Sequence, residues 1–169
     1  MTAQMELVDL VRTWLTVYIS AFLPFIGMHG AVVVAAATHV NWKAAWLLTT
    51  AGTLTAAALV LRIDRATVER ARNLPFFNRL FEAADHYIQK RDNSKDGHIY
   101  RTIATIIAVP MTGVGTLVAC IIVKLLDLDY KRSMLAISAG ATVNVFLTTA
   151  GVYGLLTGLQ TILGAIFGF

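Results

Sequence analysis

Apolar positions in this chain come in long runs rather than in alternation with polar ones, and four runs are visible. The first covers 7–40, too long for one crossing, and is interrupted at Pro24, Gly27 and Gly30. The second, 44–61, suffices to cross a ~30 Å hydrocarbon core once. The third, 103–126, is interrupted at Pro110, Gly113 and Gly115. The fourth, 134–153, continues into a Gly-rich tail, 154–169, of the length of a short crossing or an interfacial helix. Runs of this kind predict an all-α integral membrane protein in one membrane domain.

The one strongly polar stretch is 62–101, which carries nine of the fourteen Lys and Arg residues. Within it Phe77, Phe81, Tyr87 and Ile88 recur at helical spacing, which predicts an amphipathic helix on the membrane surface or packed on a neighbouring subunit. Residues 92–97 predict a turn or flexible loop.

The interruptions form part of an internal repeat. Trp42, Lys43 and Gly52 recur as Tyr130, Lys131 and Gly140, 88 positions later, whereas Pro24 and Gly27 recur as Pro110 and Gly113, 86 positions later. A two-residue length change in the half-segments before Trp42 and Tyr130 reconciles the two offsets. The repeats then cover about 7–62 and 101–153, with the polar stretch 63–100 between them.

Proline removes a backbone donor and stops a helix, and glycine permits a tight reversal. The arms beside the breaks, 31–40 and 103–109, reach at most about half of a ~30 Å core. Each break is therefore expected to be a re-entrant helical hairpin, with kinked spanning helices as the alternative. A hairpin returns the chain to its starting side and the next helix crosses once, so each repeat makes an odd number of crossings. The second repeat is then inverted relative to the first, a plan shared by many transporters. Placing the basic loop 62–101 in the cytoplasm also puts Lys124, Lys131 and Arg132 there and leaves Lys43 outside, in keeping with the positive-inside bias.

Composition agrees with a multi-pass cell-membrane protein: 57% of the 169 residues are hydrophobic, 14% are charged and the mean hydropathy is +0.67. The net charge of +4 is concentrated in one loop, which argues for a membrane-side loop and against nucleic acid as a partner. No signal peptide is expected in the opening residues, because Glu6 and Asp9 precede Arg12. Cys120 lies in an apolar run and is expected to pack.

Polar groups inside apolar segments are expensive and tend to be functional. His29 sits in the first break, where it is able to carry a proton, donate to an anionic headgroup or simply pack. Asn144 needs a partner wherever it is buried, and Thr112 and Thr116 flank the second break. Arg101 opens the second hairpin and is long enough to reach phosphate headgroups. The expected substrate-binding set is Pro24, Gly27, His29, Gly30, Arg101, Pro110, Thr112, Gly113, Gly115 and Asn144. The chain has no metal-ligand spacing, nucleophile set or phosphate-binding loop, so neither enzymatic activity nor a metal or cofactor is expected.

Residues 23–31, Leu-Pro-Phe-Ile-Gly-Met-His-Gly-Ala, resemble the opening motif of the small multidrug export protein family. That motif reads leucine-proline, two apolar residues, then glutamate-leucine-arginine-glycine-alanine. Residues 109–115, with Leu-Asp-Tyr-Lys-Arg following at 128–132, resemble the family's second motif, proline-leucine-proline-glycine-threonine-glycine. The resemblance covers about 21–154. Gly27 and His29 stand where the family has glutamate and arginine, and Thr112 stands where it has the second proline. The layout is also similar to the DedA superfamily, whose members have paired re-entrant hairpins and are implicated in moving lipids. The resemblance thus implies a transporter or flippase for an amphiphilic substrate, such as the anionic lipid undecaprenyl phosphate, ion-coupled or downhill. The expected partners are the bilayer, that substrate and a possible second copy of the chain. Efflux of hydrophobic cations and a non-transporting assembly role are the alternatives.

Overall fold

The computed structural model describes residues 2–23, 27–71, 78, 81–82, 85–86, 96–109 and 115–167, and among these described residues seven helices have both ends defined. They are α1 (Thr2–Phe22), α2 (Gly27–Ala37), α3 (Trp42–Arg62), α4 (Arg65–Ala71), α5 (Asp96–Ala108), α6 (Gly115–Leu125) and α7 (Tyr130–Phe167). Among the described residues there is no strand. Among the described residues two helices are long and apolar enough to cross a membrane, α3 and the stretch Tyr130–Thr161 of α7. The Gly-rich tail begins no new element, since α7 continues unbroken for 38 residues. Gly97 is also helical, so α5 starts earlier than the apolar run that follows it.

Short helices and their turns recur with one geometry. Helices α2 and α6 have 11 residues each, or about 16 Å at the α-helical rise. Each ends in a residue held in the left-handed region, His39 (φ 57°) and Asp127 (φ 50°), 88 positions apart. Around His39, Val40 N–H donates to Ala35 O at 2.9 Å and His39 N–H donates to Ala36 O at 3.1 Å. Around Asp127, Leu128 N–H donates to Val123 O at 3.0 Å and Asp127 N–H donates to Lys124 O at 3.3 Å. This paired closure satisfies the last carbonyls of a helix, and it usually recruits glycine to the left-handed position.

The next residues cap the long helices. Asn41 Oδ1 accepts from Lys43 N–H at 3.0 Å, and Asp129 Oδ1 accepts from Arg132 N–H at 2.9 Å. Side-chain acceptors there satisfy amides that the first turn leaves unpaired.

The helix-end bonds Leu23 N to Ile19 O and Val109 N to Thr105 O are 86 positions apart, whereas His39 and Asp127 are 88 apart, so the two-residue change falls between those points. Pro24, Pro110 and Gly113 lie outside the described residues.

Packing divides the chain into two units, Met1–Gly52 with Val145–Phe169, and Thr53–Asn144. In the first, α1 and α2 fold back on each other, and Val17, Ala35, Val40 and Ala45 form one buried cluster. Met28, Val32 and Val145 form a second, flanked by Trp46, Val152 and Tyr153. The Trp46 and Phe146 rings meet edge to face at 6.3 Å, and the Tyr153 hydroxyl donates to Val40 O at 2.5 Å. The order of these contacts makes α3 and α7 antiparallel within this unit.

In the second unit, Phe81, Ile103, Ile107, Val118, Cys120 and Ile137 share one core. Phe81 is buried there, so its ring faces protein, which the surface-helix expectation did not foresee. Most of the remaining stretch 76–88 lies outside the described residues.

Candidate functional site

The two breaks are the natural place to look, because a helix that stops in an apolar setting leaves its last carbonyls without partners. The first resolves this locally. Gly27 N–H donates to Leu23 O at 2.9 Å, and Gly27 adopts φ 60°, a conformation that suits glycine.

The second break is held from another helix. Asn144 Nδ2 donates to Ile107 O at 2.5 Å and to Val109 O at 3.3 Å, at the C-terminal end of α5. The following Pro110 has no N–H, so one possible partner for that helix end is missing from the sequence. Asn144 is 1% exposed and sits on α7, where its amide acts as an imported C-terminal cap. An unmet buried carbonyl costs about 1–3 kcal/mol, which makes this side chain a stabilising element of the break.

Beside each break a glycine lets backbones approach. A Cβ at Gly52 would lie 2.6 Å from Tyr18 O and 2.8 Å from Ala21 Cβ. A Cβ at Gly140 would lie 2.5 Å from Ala104 O and 2.9 Å from Ile107 Cβ. Tyr18 and Ala21 precede Ala104 and Ile107 by 86 positions, so each break's leading helix rests on the following long helix in the same way.

His29 lies on α2, and both of its ring nitrogens are buried without a hydrogen-bond partner. Three hydroxyls of the same unit, those of Thr49, Thr50 and Thr149, are likewise buried and unpartnered, as are those of Thr53, Thr116 and Ser133 in the other unit. Exposed threonines behave differently. Thr16, Thr105, Thr157 and Thr161 each donate to the carbonyl one turn earlier at 2.8–2.9 Å.

Of the expected set, Asn144 reaches the second break directly, and Gly27 and Gly115 open the helices that follow the breaks. His29 and Gly30 lie in the first turn of α2, half-buried. Arg101 is exposed within α5 rather than opening it, and its carbonyl accepts from Thr105. Pro24, Pro110, Thr112 and Gly113 lie outside the described residues. Asp9 and Arg12 are exposed. No cluster able to hold a metal ion occurs among the described residues.

Apart from Thr116, the buried threonines have no counterpart among the expected site residues. A signal existed in the four-residue spacing of Ala45, Thr49, Thr53, Ala57 and Leu61, all buried along one stripe of α3. Nothing comparable pointed to Tyr153, whose partner lies 113 positions away.

Residues 28–147 match the family described as "Putative small multi-drug export protein". The chain belongs to this family. The matched stretch contains α2 from Met28 onward, α6, both left-handed turns, both capped starts and Asn144. No curated protein and no solved structure matches the chain. The protein is accordingly a helical membrane protein of an export family, not of an enzyme family.

Proposed function

We propose that the protein moves an amphiphilic substrate between the leaflets of the cell membrane through two inverted repeats, each a re-entrant hairpin followed by a spanning helix. The carrying observation is the pair of 11-residue helices, each about 16 Å long and so about half a ~30 Å hydrocarbon core, each preceded by a break and followed by a capped helix. In α1 the charges of Glu6, Asp9 and Arg12 leave only 13–22 as an apolar arm, again a half-length.

A half-length helix that stops inside the bilayer must return, and its polar ends must be covered by protein or line an aqueous cavity. Two such hairpins alternating with two full crossings give inverted copies and a cytoplasmic 62–101 loop, with the remaining Lys residues arranged as the positive-inside bias demands. Buried unpartnered His29 and the Asn144-capped break are the polar features available to such a path.

An amphiphile with a hydroxyl or phosphate head, such as a polyprenyl phosphate, fits this better than a hydrophobic cation. Recognition of a buried cation calls for a carboxylate, and none lies in the described parts of α2, α3, α6 or α7.

The direct test is reconstitution of the full chain into liposomes with a fluorescent polyprenyl phosphate in one leaflet. Movement above that of empty liposomes, reduced in His29→Leu, is expected. Rates equal to those of empty vesicles would remove the reading.

A further inference from the structure

Helix α6 starts inside the protein without the groups that finish the starts of the long helices. Those helices, α3 and α7, begin behind Asn41 and Asp129, whose side chains accept from first-turn amides. The residue before α6 is Val114, which offers no side-chain acceptor, and the first turn of α6 carries no acid. Among the described residues, no hydrogen bond from outside the helix reaches the amides of 115–118. Gly115, Thr116 and Val118 are buried, so these amides are also set away from water.

The other end of α6 is compensated. Lys124 lies in its last turn, where a helix leaves carbonyls unpaired and carries partial negative charge. The start keeps the matching positive charge, equivalent to about half an elementary charge. The acids of this unit lie within 64–96 and 127–129. Those of 127–129 follow the far end of α6, about 16 Å from its start.

Thr116 adds a donor to this start. It is 9% exposed, and its hydroxyl is buried without a partner. Exposed threonines of this chain bond the carbonyl one turn earlier, but the residue four positions before Thr116 lies ahead of α6, so the helix offers no such carbonyl. Each Cα–Cβ bond of a helix leans toward its N-terminus, so the hydroxyl is aimed at the start of α6, where the first amides also point.

We infer that the start of α6, the amides of 115–118 with the Thr116 hydroxyl, binds an anionic phosphate oxygen. Amides only donate, so an anionic acceptor suits this start better than a neutral alcohol does. The phosphate belongs either to an amphiphile's head or to a free phosphate ion. The first source rests on the transport reading above; the second does not.

Binding of farnesyl phosphate, farnesol and inorganic phosphate to the purified full chain in a neutral detergent tests the site. Wild type is expected to bind farnesyl phosphate about tenfold or more tightly than farnesol. Thr116→Val is near-isosteric and should weaken farnesyl phosphate about tenfold, the worth of a hydrogen bond to a charged group, while Thr116→Ser stays close to wild type. Thr157→Val, which removes a hydroxyl bonded within its own helix, should change nothing. Amide resonances of Gly115 and Thr116 in wild type should move with farnesyl phosphate and not with farnesol, a reading that needs no variant. Competition by inorganic phosphate at comparable concentration would make the free ion the occupant, and its failure to compete would make the headgroup the occupant. Equal binding of farnesol and farnesyl phosphate, wild-type affinity in Thr116→Val, or unmoved Gly115 and Thr116 resonances would each overturn the site. A failed flipping assay leaves these binding readouts standing, and an overturned site with flipping intact would remove only the contact at α6.

Discussion

The two breaks solve the same problem by different means. At the first, Gly27 in the left-handed region donates back to Leu23 O. At the second, the carbonyls of Ile107 and Val109 are taken by Asn144 from α7. The position 88 residues before Asn144 is Ala56, which has no side-chain donor to offer. A local bond at the first thus stands against a long-range one at the second. The first break depends on a conformation, and the second depends on a neighbouring helix being in place.

The largest effect should come from what the two copies share. Gly140→Val and Gly52→Val would each drive a side chain into a backbone carbonyl that has no free rotamer to yield, and overpacking of this kind typically costs about 1–3 kcal/mol or more. Both variants are expected to lose most folded protein in size-exclusion profiles of solubilised membranes. A collapse of one with the other intact would break the equivalence of the copies.

Next in size is Asn144→Leu, which keeps bulk but strands the carbonyls of Ile107 and Val109. A loss of about 1–3 kcal/mol is expected, read as a lowered Tm. A wild-type Tm for this variant would show that the second break does not lean on α7.

Gly27→Ala addresses the first break alone. A side chain at φ 60° costs about 1–2 kcal/mol, so hydrogen exchange at the start of α2 should accelerate while the second break is unchanged. Smallest are His39→Gly and Asp127→Gly, which relieve left-handed strain at matching turns but add unfolded-state entropy. Each should shift stability by less than about 1 kcal/mol, in the same direction in both copies. Opposite signs would show that the turns are alike in backbone but not in surroundings.

Much of this was legible in the chain. The spacing of Trp42, Lys43 and Gly52 against Tyr130, Lys131 and Gly140 foretold matching long helices, and Pro and Gly marked where the preceding helices stop. Asn144 was recognisable as a side chain needing a partner. That its partners are the carbonyls just before Pro110 depends on how α5 approaches α7 at Gly140, a contact between residues more than thirty positions apart.

The amino-acid sequence by itself determined the membrane character, the helical runs and their stops, because these follow from hydropathy, proline's missing donor and glycine's freedom, all properties of short stretches. Tertiary structure alone decided which donor serves the carbonyls of Ile107 and Val109, that Phe81 turns inward, and that the Tyr153 hydroxyl meets Val40 O. Partner choice for a hydrogen bond is a question of distance and direction between helices, and no local preference encodes it.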